Sequence, residues 1–182
     1  MGKRPRIKRE RGIVVNDEKA FDVNIASVKA RKIIDVSANI DFELWFDKHY
    51  LDRIQHGDEN GERPGIEEEK VQRLIKESVP HLLYYSSVIK GFQYANHNLV
   101  SGDRALRFVL QDSRADDAAL NVVLEVHVIN LARMEITVKT AMSKNDFVLS
   151  DGQYALELTG NNHSVLRMQK QKSRIDVADY SE

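Results

Sequence analysis

Cysteine is absent from the 182 residues, which excludes a disulfide scaffold, a thiolate nucleophile and any cysteine-ligated zinc. No apolar run approaches the roughly 18 residues of a membrane span, and the N-terminus carries no apolar signal segment. Neither a membrane partner nor secretion by the usual route is expected, and the expected compartment is the cytoplasm. Net charge is nearly absent too: 27 Lys+Arg stand against 28 Asp+Glu, a formal charge of -1. With 42% hydrophobic and 30% charged residues, the chain is neither disordered by composition nor a strongly basic nucleic-acid coat. A phosphate loop, a dinucleotide fingerprint and a nucleophile elbow are all missing. What is present has the size of one domain, long enough to bury a core and too short for two.

The near-zero charge is unevenly spread. Residues 1–12 hold Lys3, Arg4, Arg6, Lys8, Arg9 and Arg11 against Glu10 alone, a local charge of 6 - 1 = +5. The other 170 residues carry 21 basic and 27 acidic side chains, a charge of -6. Such an arm either tracks a phosphate backbone by releasing counterions or is a solvated, disordered start. The expected organisation is a basic arm over 1–12, one domain over 13–162, and a polar tail or short helix over 163–182.

Residues 13–36 fit short strands and a helical period equally well. From Asp41 to about Gln55, Phe42, Trp45, Phe46, His49, Tyr50, Arg53 and Ile54 recur at helical spacing, with Asn39 or Asp41 available as cap. A polar loop with the turn pairs Asn60-Gly61 and Pro64-Gly65 follows. A second helix is expected over Ile66–Val79, with acids in its first turn, an apolar stripe of Val71, Leu74, Ile75 and Val79, and Pro80 as its stop. Beyond Pro80 the period changes to two. Strands are expected over Leu82–Ile89, Leu106–Gln111, Leu120–Val128, Met134–Met142 and Tyr154–Leu158. The short links at Asn130–Arg133 and Ser143–Asp146 predict antiparallel neighbours. The expected fold class is α+β: two helices in the N-terminal half packed on an antiparallel sheet of four to five strands.

At about 100° per residue, His49 and Arg53 fall in the middle of the aromatic stripe of the first helix. Burying such groups unpaired is costly, so either they are paired beneath the surface or the stripe opens onto a cleft. The run His49-Tyr-Leu-Asp-Arg53, then Arg63, then Gly65-Ile-Glu-Glu-Glu-Lys-Val71 resembles the helical half of RelE-fold ribonucleases of the barnase, EndoU, colicin and RelE group. It is most similar to the RegB type of phage early-mRNA endoribonucleases, and the resemblance spans residues 40–88. It implies a RelE-like fold and a toxin-like, metal-independent endoribonuclease encoded by a phage or mobile element. Its partners would be mRNA and a ribosome or host RNA-binding protein, and no cofactor is implied. In that chemistry the 2′-hydroxyl attacks the adjacent phosphorus to give a 2′,3′-cyclic phosphate. Histidine, with an ordinary pKa of about 6.5, suits the proton transfer, and the arginine fork suits the phosphate.

The candidate catalytic residues are His49, Arg53 and Arg63, joined from the sheet by Lys139 and Thr140. Lys144 and the six arm cations are the candidate nucleic-acid contacts. Lys139 alternates away from the apolar face of its strand, whereas Thr140 lies in phase with Met134, Ile136 and Val138, as either a core threonine or a group at the strand end. His97 is a second candidate for proton transfer; His56, His81, His127 and His163 are expected at the surface. The cluster His56, Asp58, Glu59, Glu62 lacks the spacing of an EF-hand and of a helical metal pair. The competing function is a non-catalytic RNA- or protein-binding module.

Overall fold

The computed structural model describes residues 23–27, 29–37, 40–56, 65–97, 104–114, 118–130, 132–171 and 173–180. The basic arm, Arg63 and the acidic cluster of the polar loop lie outside the described residues. In chain order the elements are β1 (Ala30–Ser37), β2 (Asp41–Asp47), α1 (Lys48–His56), α2 (Glu68–Val88), β3 (Arg107–Asp112), β4 (Leu120–Asn130), β5 (Arg133–Ser143), β6 (Tyr154–Gly160), β7 (His163–Lys170) and β8 (Ser173–Tyr180). The strands form one sheet in the order β1-β2-β5-β4-β3-β6-β7-β8. The pairs β2–β5 and β3–β6 are parallel and the rest antiparallel. This corrects the expected RelE-like sheet of four to five antiparallel strands: the observed sheet is mixed and, among the described residues, has eight.

Four local departures produce that difference. The first half of the expected leading helix is β2, because Phe42, Leu44 and Phe46 alternate onto the helix-covered core while Glu43, Trp45 and Asp47 are buried on the opposite face. A strand buried on both faces loses its alternating signature, and Phe42 and Phe46 satisfy a helical spacing equally well. Only Lys48–His56 is helical, so His49 sits in the first turn of α1 and not in the middle of a long stripe.

The second departure is that α2 runs through Pro80 to Val88. Its buried side chains Val71, Leu74, Ile75, Ser78, Val79, His81, Leu82 and Tyr85 keep the helical period past the proline, so Leu82–Ile89 is not a strand. An interior proline costs about 3 kcal/mol. Burying Leu82 and Tyr85 returns about 1.5–3 kcal/mol each, and Pro80 itself is exposed, as is Lys76, whose carbonyl loses its helical partner.

Third, the link after β5 does not lead to an antiparallel neighbour; it crosses the sheet so that β6 joins β3 in parallel. Fourth, the expected polar tail forms β7 and β8. Gly160, Asn161 and Asn162 have φ of 112°, 49° and 54°, the left-handed conformations that glycine and asparagine tolerate best. They turn β6 into β7, whose Ser164, Val165 and Leu166 are buried.

The core lies between the sheet and the two helices. There α2 packs on β3 and β6, and α1 on β2 and β5, around Phe46, Tyr50, Leu74, Tyr85, Phe108, Leu110, Leu124, Leu156 and Leu166. The Tyr85 hydroxyl donates to the Ser164 carbonyl at 2.8 Å. His81, expected at the surface, is buried beside it, with Nδ1 2.9 Å from Ser164 Oγ.

The opposite face of the sheet is polar yet largely covered. Glu43 pairs with Arg133 and accepts from Trp45 Nε1 at 3.3 Å. His127, also expected to be exposed, is 3% exposed. Residues 23–27 lie across this face: the Asn24 amide donates to Thr137 Oγ1, and the Ile25 N–H donates to Glu135 Oε1 at 2.8 Å. Each buried acid thus has a donor, as burial of charge demands.

Candidate functional site

A cleft of about 960 Å³ opens where the start of α1 meets β5. Asp47 builds this corner. One of its carboxylate oxygens accepts the His49 N–H at 3.0 Å, capping the first turn of α1. The other accepts from Lys139 Nζ at 2.8 Å. Burial works to raise the Asp47 pKa, but the hydrogen bonds from Lys139, Ser27 and the His49 amide outweigh it and hold the carboxyl below its ordinary value. Lys139 Nζ also donates to the Ala26 carbonyl at 3.1 Å, so residues 23–27 brace the same corner.

Register then decides what faces the cleft. Along β4 and β5, Val123 pairs with Thr140 and Leu124 with Val138, which leaves Lys139 as the extra residue of a β-bulge. The bulge resets the alternation. Thr140 thereby leaves the apolar face of Ile136 and Val138 and joins Lys139 in the cleft, which corrects its expected phase with Met134. From α1, His49 and Arg53 lie four residues apart on one side of the helix. Both are exposed and both line the cleft, while Tyr50 and Leu51 of the same helix are buried. Arg53 Nη1 donates to Thr140 Oγ1 at 2.5 Å.

Four of the five candidate catalytic residues, His49, Arg53, Lys139 and Thr140, therefore line one open cleft. Arg63 lies outside the described residues, as do Lys3, Arg4, Arg6, Lys8, Arg9 and Arg11. Lys144 does not line the cleft; it pairs with Asp146 at 3.3 Å. His97 is exposed in the segment after α2 and is not among the cleft residues either.

The sequence pattern did not place Asp47, Asp52, Arg104, Arg107, Phe147, Val148 or residues 150–153 among the site candidates, yet all of them contribute to the lining. For Asp47 the signal was available, since an acid before a helical run is a cap. The approach of residues 147–153 was not, because it depends on the crossing from β5 to β6. Arg107 donates through Nε to Glu125 Oε1 at 3.0 Å. Burial favours a raised Glu125 pKa, and hydrogen bonds from His127 and Arg107 reverse it to a lowered one.

The lining holds Arg53, Arg104, Arg107 and Lys139 against Asp47, Asp52 and Asp151, a balance of 4 - 3 = +1 before His49 is counted. Such a cleft can hold one phosphate group between an arginine fork and a lysine, with an imidazole at its edge. Among the described residues no group of three or more His, Asp or Glu side chains could hold a metal ion, and no helix is long and apolar enough to cross a membrane. Compared with known proteins, the chain gives no significant match to a family model, a curated protein or a solved structure.

Proposed function

We propose that this chain is a metal-independent endoribonuclease that cleaves mRNA in the cytoplasm through the RNA's own 2′-hydroxyl. The observation that supports the reading most is the convergence, from two distant segments, of His49 and Arg53 on α1 with Lys139 and Thr140 at the bulge of β5. In this reading His49 takes the proton of the 2′-hydroxyl as the 2′-oxygen bonds to phosphorus. The bond from phosphorus to the 5′-oxygen breaks, and that oxygen takes a proton from water in the open cleft. Arg53 and Lys139 stabilise the extra negative charge on the phosphorane, the role in which fixed positive charge contributes most. Thr140, accepting from Arg53, orients the guanidinium. The products are a 2′,3′-cyclic phosphate and a free 5′-hydroxyl. A lining balance of +1 suffices for one phosphate and not for a long tract, so extended grip on RNA falls to the +5 arm of residues 1–12.

The test is incubation of purified protein with total RNA in EDTA, wild type beside His49→Ala and Arg53→Ala. Discrete fragments ending in 2′,3′-cyclic phosphate, lost in both variants, are expected. Salt-sensitive RNA binding without cleavage would replace the nuclease with a binding module. Fragments that persist in His49→Ala would remove the site.

A further inference from the structure

The four groups assigned to the phosphate make up only part of the cleft lining, and the cleft volume of about 960 Å³ is at the upper end of the range of small-ligand pockets, roughly 300–1,000 Å³. Met142, Phe147 and Val148 add an apolar portion to the same lining. Val148 is 81% exposed, and its neighbours explain why it stays so. Leu149 is buried with Val109, Val123 and Ala155, and Phe147 packs against the same cluster. The Phe147 carbonyl accepts from Arg174 Nη2 at 3.0 Å.

Downstream, the Gln153 amide side chain ties the Ser150 N–H to the Arg107 carbonyl, and the Gly152 N–H donates to Gln169 O at 2.8 Å. Both sides of Val148 are fixed, so the segment cannot fold the side chain inward. A lone exposed valine is ordinary on a protein surface. An exposed valine next to a half-buried phenylalanine, in the same lining as Met142 and the arginine that donates to Thr140, gives the charged cleft an apolar surface.

Building on the ribonuclease reading, we propose that Met142, Phe147 and Val148 form a subsite for an unstacked nucleobase adjoining the phosphate held by Arg53, so that the substrate is single-stranded RNA. A base in a duplex has both faces covered by its neighbours and its edge paired, and is not free to lie on these side chains while its phosphate lies at Arg53. Single strands offer free π-faces, which proteins take up on apolar and aromatic side chains. A serine at position 148 removes contact area without touching the anchored residues, and a tyrosine adds a ring.

The experiment measures cleavage of a fluorescent single-stranded oligoribonucleotide and of the same sequence in a perfect duplex. It compares wild type, Val148→Ser, Val148→Tyr and His49→Ala, with thermal melting to confirm folding. The expected result is cleavage of the single strand only. KM should rise about three- to tenfold in Val148→Ser and fall in Val148→Tyr, with kcat unchanged in both. Cleavage that requires His49 but ignores strandedness and both Val148 variants would overturn the base subsite and leave the nuclease standing. If the wild type cuts neither RNA, the subsite falls together with the nuclease.

Discussion

Removing the Asp47 carboxylate should loosen the site and the fold together, and the size of the effect follows from its two contacts. As the cap of α1 it accepts the His49 N–H, and loss of such a cap costs about 1 kcal/mol. As partner of Lys139 it neutralises an ammonium whose side chain is 17% exposed. Orphaning a buried ion costs about 3–5 kcal/mol. Here the ammonium borders an open cleft and keeps the Ala26 carbonyl, so about 2 kcal/mol is expected. Asp47→Ala should therefore lose about 3 kcal/mol. At about 2–4 °C per kcal/mol for a chain of this size, the melting temperature should fall by about 6–12 °C.

Asp47→Asn retains a cap oxygen and should fall by about 4–8 °C on the same scale. Adding Lys139→Met to Asp47→Ala removes the orphan charge and should restore much of the loss. The pH dependence has a definite sign. The folded carboxyl is held below its ordinary value, so its contribution is complete above the unfolded pKa of about 3.9 and is lost as pH falls through the folded one. The gap between wild type and Asp47→Asn should thus be constant near neutrality and close below about pH 4. The assay is thermal melting followed by circular dichroism from pH 3 to pH 8. An Asp47→Ala variant that melts within about 3 °C of wild type, or one that Lys139→Met makes worse, would refute the two-contact account.

Three further perturbations probe other parts of the structure. A Cβ at Gly65 would lie 2.6 Å from Ile54 Cα and 2.8 Å from the Arg53 carbonyl; Gly65→Ala should lower stability by about 1–3 kcal/mol and reduce cleavage, and equal stability by denaturant titration would show that α1 can shift freely. Thr140→Val keeps the volume and removes the acceptor of Arg53, so kcat should drop about tenfold, or about 1.4 kcal/mol, with an unchanged melting temperature; unaltered kcat would deny Thr140 its orienting role. Tyr85→Phe strips a buried hydroxyl from the Ser164 carbonyl and hydroxyl and should cost about 1–3 kcal/mol in urea unfolding, whereas a neutral result would mean that Ser164 finds another partner.

The strands β3 to β6 were readable because each keeps a period of two in sequence, whereas residues 57–64 of the polar loop, with its turn pairs, lie outside the described residues. The first half of the leading helix was misread because Phe42-Glu-Leu-Trp-Phe46 is buried on both faces, which erases alternation. Pro80 reads as a stop because its local cost is visible in sequence, while the burial of Leu82 and Tyr85 that offsets it is not. In the candidate site, the i,i+4 relation of His49 and Arg53 survives the change of element, since it lies within the part that stays helical. The position of Thr140 could not be read, because a bulge is a property of pairing with β4 and leaves no mark in β5 alone. The approach of Phe147 and Val148 likewise depends on β6 reaching β3 across two strands.

The parallel pairing of β2 with β5 joins Asp41 to Arg133, 92 positions later. A ribosome adding about 5–20 residues per second presents α1, with His49 and Arg53, roughly 5–18 seconds before Lys139 and Thr140 exist. Through that interval the guanidinium has no Thr140 hydroxyl to donate to. Asp47 has no lysine to fix the corner from which α1 starts. A chain still attached to its own message therefore carries half of a cleft, and completion of the site is timed to the synthesis of the central strands.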